Sequence, residues 1–140
     1  MIKVNFLKSM LILLKIFTVF LNGNQINKSS AQNLTFTFKS ILNKITFDID
    51  MISPDGLVGG SDSLTSVNYE FCLPADERFL VEVLLIDPTL KYYPQIRGRI
   101  GCTSHQYLCI GNPHNPRWKT ILLSIAKLDY IERIDRFYGE

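Results

Sequence analysis

Residues 67–73 read Val-Asn-Tyr-Glu-Phe-Cys-Leu, and this stretch decides how the rest of the chain is interpreted. Apolar and polar residues alternate along it, which is typical of a β-strand with one buried face. Pro74 ends the strand because proline has no N–H to donate to a sheet. A helix is predicted to follow over residues 75–87, since large apolar residues recur there at helical spacing.

The second half of the chain repeats this alternation of strands and helices. Period-two patterns over residues 96–102 and 106–111 predict two strands joined by a turn. Asn115 is a good capping residue for a second helix over residues 116–128, and a last strand is predicted over residues 131–138. From residue 67 onward, the order is therefore strand–helix–strand–strand–helix–strand.

This order predicts an α+β fold of the ferredoxin-like type. Two βαβ units so arranged form the split βαβ (βαββαβ) two-layer sandwich, whose antiparallel sheet has the spatial order 4-1-3-2 with both helices on one face. We assign this sandwich to residues 67–140. Alternating residues at 34–38 and 45–51 predict a β-hairpin before it, and residues 53–66 form a long loop.

The first 31 residues have the character of a signal peptide. Lysines precede an apolar run over residues 10–21, and small residues follow at 29–31, which is the order of a secretory leader with its cleavage site. The run is interrupted by Lys15 and is shorter than the roughly 20 residues of a transmembrane helix. We expect a secreted or periplasmic protein; the alternative is a membrane anchor formed by residues 9–21.

The charge of the chain changes when this leader is set aside. The whole chain carries +2, but residues 1–31 hold four lysines and no acidic residue. The remainder has 11 basic and 13 acidic residues, a net charge of −2. A nucleic-acid partner is not expected, because such proteins carry a basic surface.

Three cysteines, Cys72, Cys102 and Cys109, lie beyond the leader. An oxidising compartment would allow two of them to form a disulfide and leave one thiol. In the predicted sheet the first and third strands are neighbours, so Cys72 and Cys109 would face each other. We expect the Cys72–Cys109 disulfide, although the other pairings remain open.

The predicted sheet leaves one face without helices, and that face is the expected binding surface. Alternation places Glu70, Arg97, Arg99 and Tyr107 on it, with the two arginines suited to binding a carboxylate or phosphate. The sequence thus favours an exported, non-enzymatic binding or interaction module. Its expected partner is a protein or a small anionic ligand, and no cofactor is expected.

An alternative function uses thiols or a metal. Four residues in the order C-x2-H-x3-C-x4-H are ligands that zinc or copper would accept: Cys102, His105, Cys109 and His114. A thiol reaction is also conceivable, because Cys72 precedes a helix that would lower its pKa and His105 could act as its base. The binding module remains the preferred interpretation, because the spacing of these cysteines and histidines is not a standard zinc-binding pattern.

Overall fold

A computed structural model describes residues 29–139 of the 140-residue chain. The predicted apolar run at residues 10–21 lies outside the described residues. The chain divides into two units between residues 39 and 40. Within the described range, no helix is both long enough and apolar enough to span a bilayer.

The predicted strand at residues 34–38 is wrong, because a helix, α1, runs over residues 29–42. Its alternating threonines donate their hydroxyls to carbonyls one turn earlier: Thr35 Oγ1 to Ala31 O and Thr37 Oγ1 to Asn33 O, each at 2.9 Å. A threonine hydroxyl can therefore be satisfied inside a helix. Alternation does not indicate a strand here, because residues 29–40 are all exposed, Phe36 to 76%, so neither set of alternating side chains is buried in the described structure.

The second predicted strand of the hairpin, residues 45–51, is also replaced by other structure. Ile45 forms a single parallel bridge to Ile134, supported by a hydrogen bond of 3.0 Å from Thr46 N to Ile134 O. Asp48 then caps a 3-10 helix, Ile49–Met51, by accepting the N–H of Asp50. An Asp side chain that bonds its own backbone competes with strand pairing, which explains the early end of the extended segment.

The stretch predicted as a long loop contains a small two-stranded antiparallel sheet. Its strands are β1 (Leu57–Val58) and β2 (Thr65–Ser66). The indole Nε1 of Trp118 donates to Pro54 O at 3.2 Å, which ties the start of this stretch to the second half of the chain.

The main sheet has four antiparallel strands. In chain order they are β3 (Tyr69–Pro74), β4 (Lys91–Tyr93), β5 (Gln106–Gly111) and β6 (Ile134–Arg136). In space the order is β4-β5-β3-β6, so β3 and β5 are central. The protein is therefore a mixed α+β fold with antiparallel sheets, and the strand predicted at residues 131–138 is shortened to three residues.

Two helices cover one face of the main sheet. Helix α2 (Glu77–Ile86) begins at Asp76, whose side chain accepts the N–H of Arg78, and α3 (Trp118–Ala126) follows β5. Both were predicted, with slightly longer bounds. The apolar core between helices and sheet has fully buried members from every layer: Phe71, Leu73, Val83, Leu122, Ile125 and Ile134.

The predicted strand at residues 96–102 is wrong, and β4 lies earlier in the chain. Gly98 and Gly101 have φ angles of +63° and +82°, which turn the backbone instead of extending it. Cys102 N donates to Arg97 O at 2.8 Å and closes this turn. We call residues 96–104 the cover segment, because they pack on the sheet face that has no helices.

The faces of β5 are the reverse of those predicted. Cys109 pairs with Phe71 and Tyr107 with Leu73, so both lie on the helix-covered face. Leu108 pairs with Cys72 and lies under the cover segment, where it is 2% exposed. Both faces of β5 are covered, so apolar residues occur at both odd and even positions. Alternation therefore does not indicate which face is turned toward the helices.

Candidate functional site

Glu70 is the most unusual residue of the covered sheet face. It lies in the middle of β3, opposite Ile110 on β5 and Asp135 on β6, and only 1% of its surface is exposed. The backbone N–H of Ile100 donates to its carboxylate, but Oε2 has no hydrogen-bond partner. A buried acceptor without a donor is energetically costly, so this atom marks a candidate binding position.

The surroundings of Glu70 favour its neutral form. Burial raises the pKa of this carboxyl above its ordinary value, and the negative charge of Asp135 raises it further. The Ile100 amide, Arg99 and Arg133 act in the opposite direction without cancelling that effect. A proton, a ligand cation or a ligand N–H at Oε2 would each relieve the cost of burial.

The cover segment encloses Glu70 from above the sheet. A Cβ atom on Gly98 would lie only 2.7 Å from Glu70 Oε2 and from a methyl group of Leu108, so this position requires glycine. The Arg133 guanidinium donates to Ile100 O at 2.9 Å. These contacts, together with a disulfide to β3, hold the segment against the sheet.

An open cleft of about 320 Å³ leads to Glu70, and we call it the Glu70 cleft. It has both acidic and basic lining residues: Thr46, Phe47, Glu70, Arg99, Asp135, Arg136 and Tyr138. Asp135 is already satisfied, by Arg133 at 3.1 Å and by the Thr46 hydroxyl at 2.9 Å. The Arg136 guanidinium stacks over the Tyr138 ring, 5.0 Å from its centroid. Glu70 is thus the lining acid with an oxygen, Oε2, that still lacks a donor.

The structure brings together only part of the predicted binding set. Glu70 and Arg99 line the same cleft, whereas Arg97 is exposed on the cover segment and is not among the lining residues. Tyr107 lies on the helix-covered face, with its ring 5.8 Å from that of Tyr92. Sequence reasoning missed Asp135, whose place opposite Glu70 depends on the register of β6.

The predicted Cys72–Cys109 disulfide is wrong. Cys72 bonds to Cys102, with Cα atoms 5.4 Å apart and a sequence separation of 30. Cys109 points to the opposite side of the sheet and is a buried free thiol, and burial raises its pKa to about 12. Neither cysteine of β3 and β5 is therefore a thiolate nucleophile for His105.

The four predicted metal ligands do not converge. Cys102 is held in the disulfide, and Cys109 is buried in the core. His105 precedes β5 and His114 follows it, so the length of a strand separates them. Among residues 29–139, no three His, Cys, Asp or Glu side chains are placed to hold one metal ion.

Comparison of the chain with protein-family models, with curated proteins and with solved structures finds no match. The chemistry of the Glu70 cleft is therefore argued from its own residues. A buried carboxylate with one oxygen that lacks a donor, together with two arginines, can bind a small ligand carrying both charges.

Proposed function

We propose that this protein is an exported, single-domain binding module and that the Glu70 cleft holds its ligand. The observation that carries the proposal is the buried Oε2 of Glu70, which has no hydrogen-bond partner and belongs to a residue that lines an open cleft. Native proteins rarely leave such an atom unpaired unless a ligand or another function uses it.

The ligand that fits this cleft is small and carries both charges. Glu70 Oε2 needs an ammonium or another N–H donor, while Arg99 and Arg136 supply guanidinium groups for a carboxylate. The small anionic ligand expected from the sequence is thereby refined to a zwitterion. A volume of about 320 Å³ limits it to the size of an amino acid or a comparable molecule.

We further propose that residues 67–139 have the ferredoxin-like architecture. The strand order β4-β5-β3-β6 with antiparallel neighbours supports this, because it corresponds to 4-1-3-2 when the four strands are numbered in chain order. Helices α2 and α3 lie between the first and second and between the third and fourth of these strands. The binding cleft then lies on the sheet face away from the helices.

Export is proposed on two observations. The leader-like composition of residues 1–31 is one, and the Cys72–Cys102 disulfide is the other, since it is consistent with an oxidising, exported location. The same disulfide weakens the thiol alternative, because it occupies the cysteine that the predicted reaction needs. Binding is therefore favoured over thiol or metal chemistry.

The experiment is an amide-resolved NMR titration of the oxidised full-length protein with glycine. Glycinamide lacks the carboxylate and N-acetylglycine lacks the ammonium, so each removes one of the two proposed contacts. We expect glycine to shift the amides of Arg99, Ile100 and Asp135, with at least tenfold weaker binding of both derivatives. A zwitterion contacting Glu70 and Arg99 at once explains this order.

Two variants that each remove one charge, and one control, sharpen the result. Glu70→Gln and Arg99→Gln should each weaken glycine binding at least tenfold, while Arg97→Gln leaves it unchanged because Arg97 lies outside the cleft lining. Equal binding of glycine by wild type and Glu70→Gln, or no shift at these amides, would refute the proposal.

A further inference from the structure

A second cleft, of about 500 Å³, opens at the end of the sheet where β4 starts and β5 ends. We call it the Asn112 cleft, and its lining is rich in amide and basic side chains: Asn68, Thr89, Lys91, Ile110, Gly111, Asn112, His114, Asn115 and Pro116. It shares no lining residue with the Glu70 cleft. An inference about it therefore stands independently of the proposed function.

In this cleft, local turns use the oxygen atoms of two asparagine side chains and leave their N–H groups free. Asn112 Oδ1 accepts the N–H of His114 at 2.8 Å, and Asn115 Oδ1 accepts the N–H of Arg117 at 2.9 Å. Both amide oxygens are thus used by local turns, and the amide nitrogens are what each side chain can offer a ligand. Lys91 adds an ammonium group and His114 adds a ring that can donate.

Negative charge is absent from the lining of this cleft, all of which lies in the described part of the chain. The nearest carboxylates along the chain are both buried: Glu70, which lies in β3 after Asn68, is 1% exposed, and Asp87, which precedes Thr89, is 2% exposed. Asp87 lies behind Thr89. It accepts the Thr89 N–H at 3.0 Å, the Thr89 hydroxyl at 2.6 Å and the Tyr69 hydroxyl. Three donors satisfy this carboxylate and fix the wall of the cleft.

We propose that the Asn112 cleft binds a phosphate or sulfate group. Such a group offers several acceptor oxygens, which matches the free amide N–H groups of Asn112 and Asn115 and the ammonium of Lys91. A ligand cation finds no acid here, and an uncharged ligand would leave Lys91 unused. The rest of this domain has a net negative charge, so a cleft with a lysine and no carboxylate differs in charge from its surroundings.

The test is an NMR titration of the oxidised full-length protein with sodium phosphate, sodium sulfate and glycerol phosphate, at constant ionic strength set with chloride. We expect phosphate and sulfate to shift the amides of Asn112 and His114, while chloride does not. Tighter binding of glycerol phosphate than of phosphate assigns the cleft to phosphate esters, and weaker binding assigns it to the free ion. Either order supports the proposal.

Asn112→Asp is the decisive variant. Aspartate keeps the oxygen that accepts the His114 N–H, so the turn is preserved, but it replaces the free amide nitrogen with a negative oxygen. We expect at least tenfold weaker phosphate binding, and severalfold weaker binding in Lys91→Met. Lys127→Met removes an exposed lysine at the other end of α3 and should change nothing.

Unchanged phosphate binding in Asn112→Asp would overturn the proposal. So would phosphate-induced shifts that appear at Arg99 and Ile100 and vanish in Arg99→Gln, because the anion would then occupy the Glu70 cleft. Failure of the glycine experiment leaves this result untouched, since the two clefts have separate lining residues. Far-UV circular dichroism of Asn112→Asp verifies that the variant is folded.

Discussion

The two faces of the main sheet are covered in different ways. Helices α2 and α3 cover one face mainly with apolar side chains, and Phe71, Leu122 and Ile125 are fully buried there. The cover segment shields the other face with irregular backbone, a disulfide and a buried acid, Glu70. Shape-matched apolar packing is sufficient for a helix, whereas a short loop needs specific ties to stay in place. The face held by those ties is also the one on which we propose a binding cleft.

The largest expected effect lies on the helix-covered face. Phe71→Ala removes a fully buried ring from between β3 and the helices and should lower the free energy of unfolding by about 3–5 kcal/mol. Urea denaturation at pH 7 measures the change. Leu85→Ala is the matched control on α2, because Leu85 is 80% exposed and its loss should change stability by less than about 0.5 kcal/mol. A small effect of Phe71→Ala would mean that the helices do not supply the core.

Loss of the disulfide that holds the cover segment to β3 should have the next largest effect on the free energy of unfolding. The double variant Cys72→Ser/Cys102→Ser opens a loop spanning 30 residues and should lower the free energy of unfolding by about 2–4 kcal/mol. Denaturation of oxidised protein measures the difference. Under reducing conditions, wild type and double variant should unfold together, since neither then has the bond.

Intact mass after thiol alkylation verifies the redox state used in that comparison. Unreduced protein should take up one label, at Cys109 after denaturation, and reduced protein three. Three labels on the unreduced protein would contradict the Cys72–Cys102 disulfide. A mass starting near Gln32 in exported protein would support cleavage of the leader.

The smallest effect has the opposite sign and depends on pH. The pKa of Glu70 is raised by burial, so between its ordinary value near 4.5 and the raised value the folded protein holds a proton that the unfolded chain has lost. Wild-type stability therefore falls as pH rises through this interval. Glu70→Gln removes that fall and should be more stable at pH 7 by on the order of 1 kcal/mol.

The two proteins should become equally stable below about pH 4, where Glu70 is neutral in both states. Glu132→Gln, at an exposed position, is the control and should follow the wild-type curve. A Glu70→Gln variant less stable than wild type at pH 7 would show that the ionised carboxylate supports the fold. The buried acid would then be structural.

Sequence patterns predicted the elements that bury one face. Strands β3 and β5 and helices α2 and α3 were located within a few residues. Strand β5 was located by its apolar composition, whereas β3 and the two helices each present apolar groups at their own period to a single apolar layer. Glu70 was placed correctly off the helix-covered face for the same reason. Arg99 was singled out as well, although the strand assigned to it does not exist.

The errors have common physical causes. Residues 34–38 alternate yet form a helix, because threonine hydroxyls can bond within a helix and period two does not require a sheet. Because β5 has apolar residues at both odd and even positions, its sequence did not indicate which side faces the helices. Left-handed glycines turned the segment at residues 96–102 out of the sheet, and that turn carried Cys102 to Cys72. The pairing of cysteines thus depended on a loop conformation that no periodicity encodes.

The Cys72–Cys102 bond also determines how the protein would respond to mechanical force. It closes the end of β3, all of α2 and β4 into a covalent ring, while the chain before Cys72 and after Cys102 remains linear. A pull on the two termini is transmitted through the bond and bypasses the residues between the two cysteines. The stretched, oxidised chain would be shorter than the reduced one by about 100 Å, the extended length of that ring. Oxidation thus sets the extensibility of this domain, and β4 with the second half of β3 is sheltered from load.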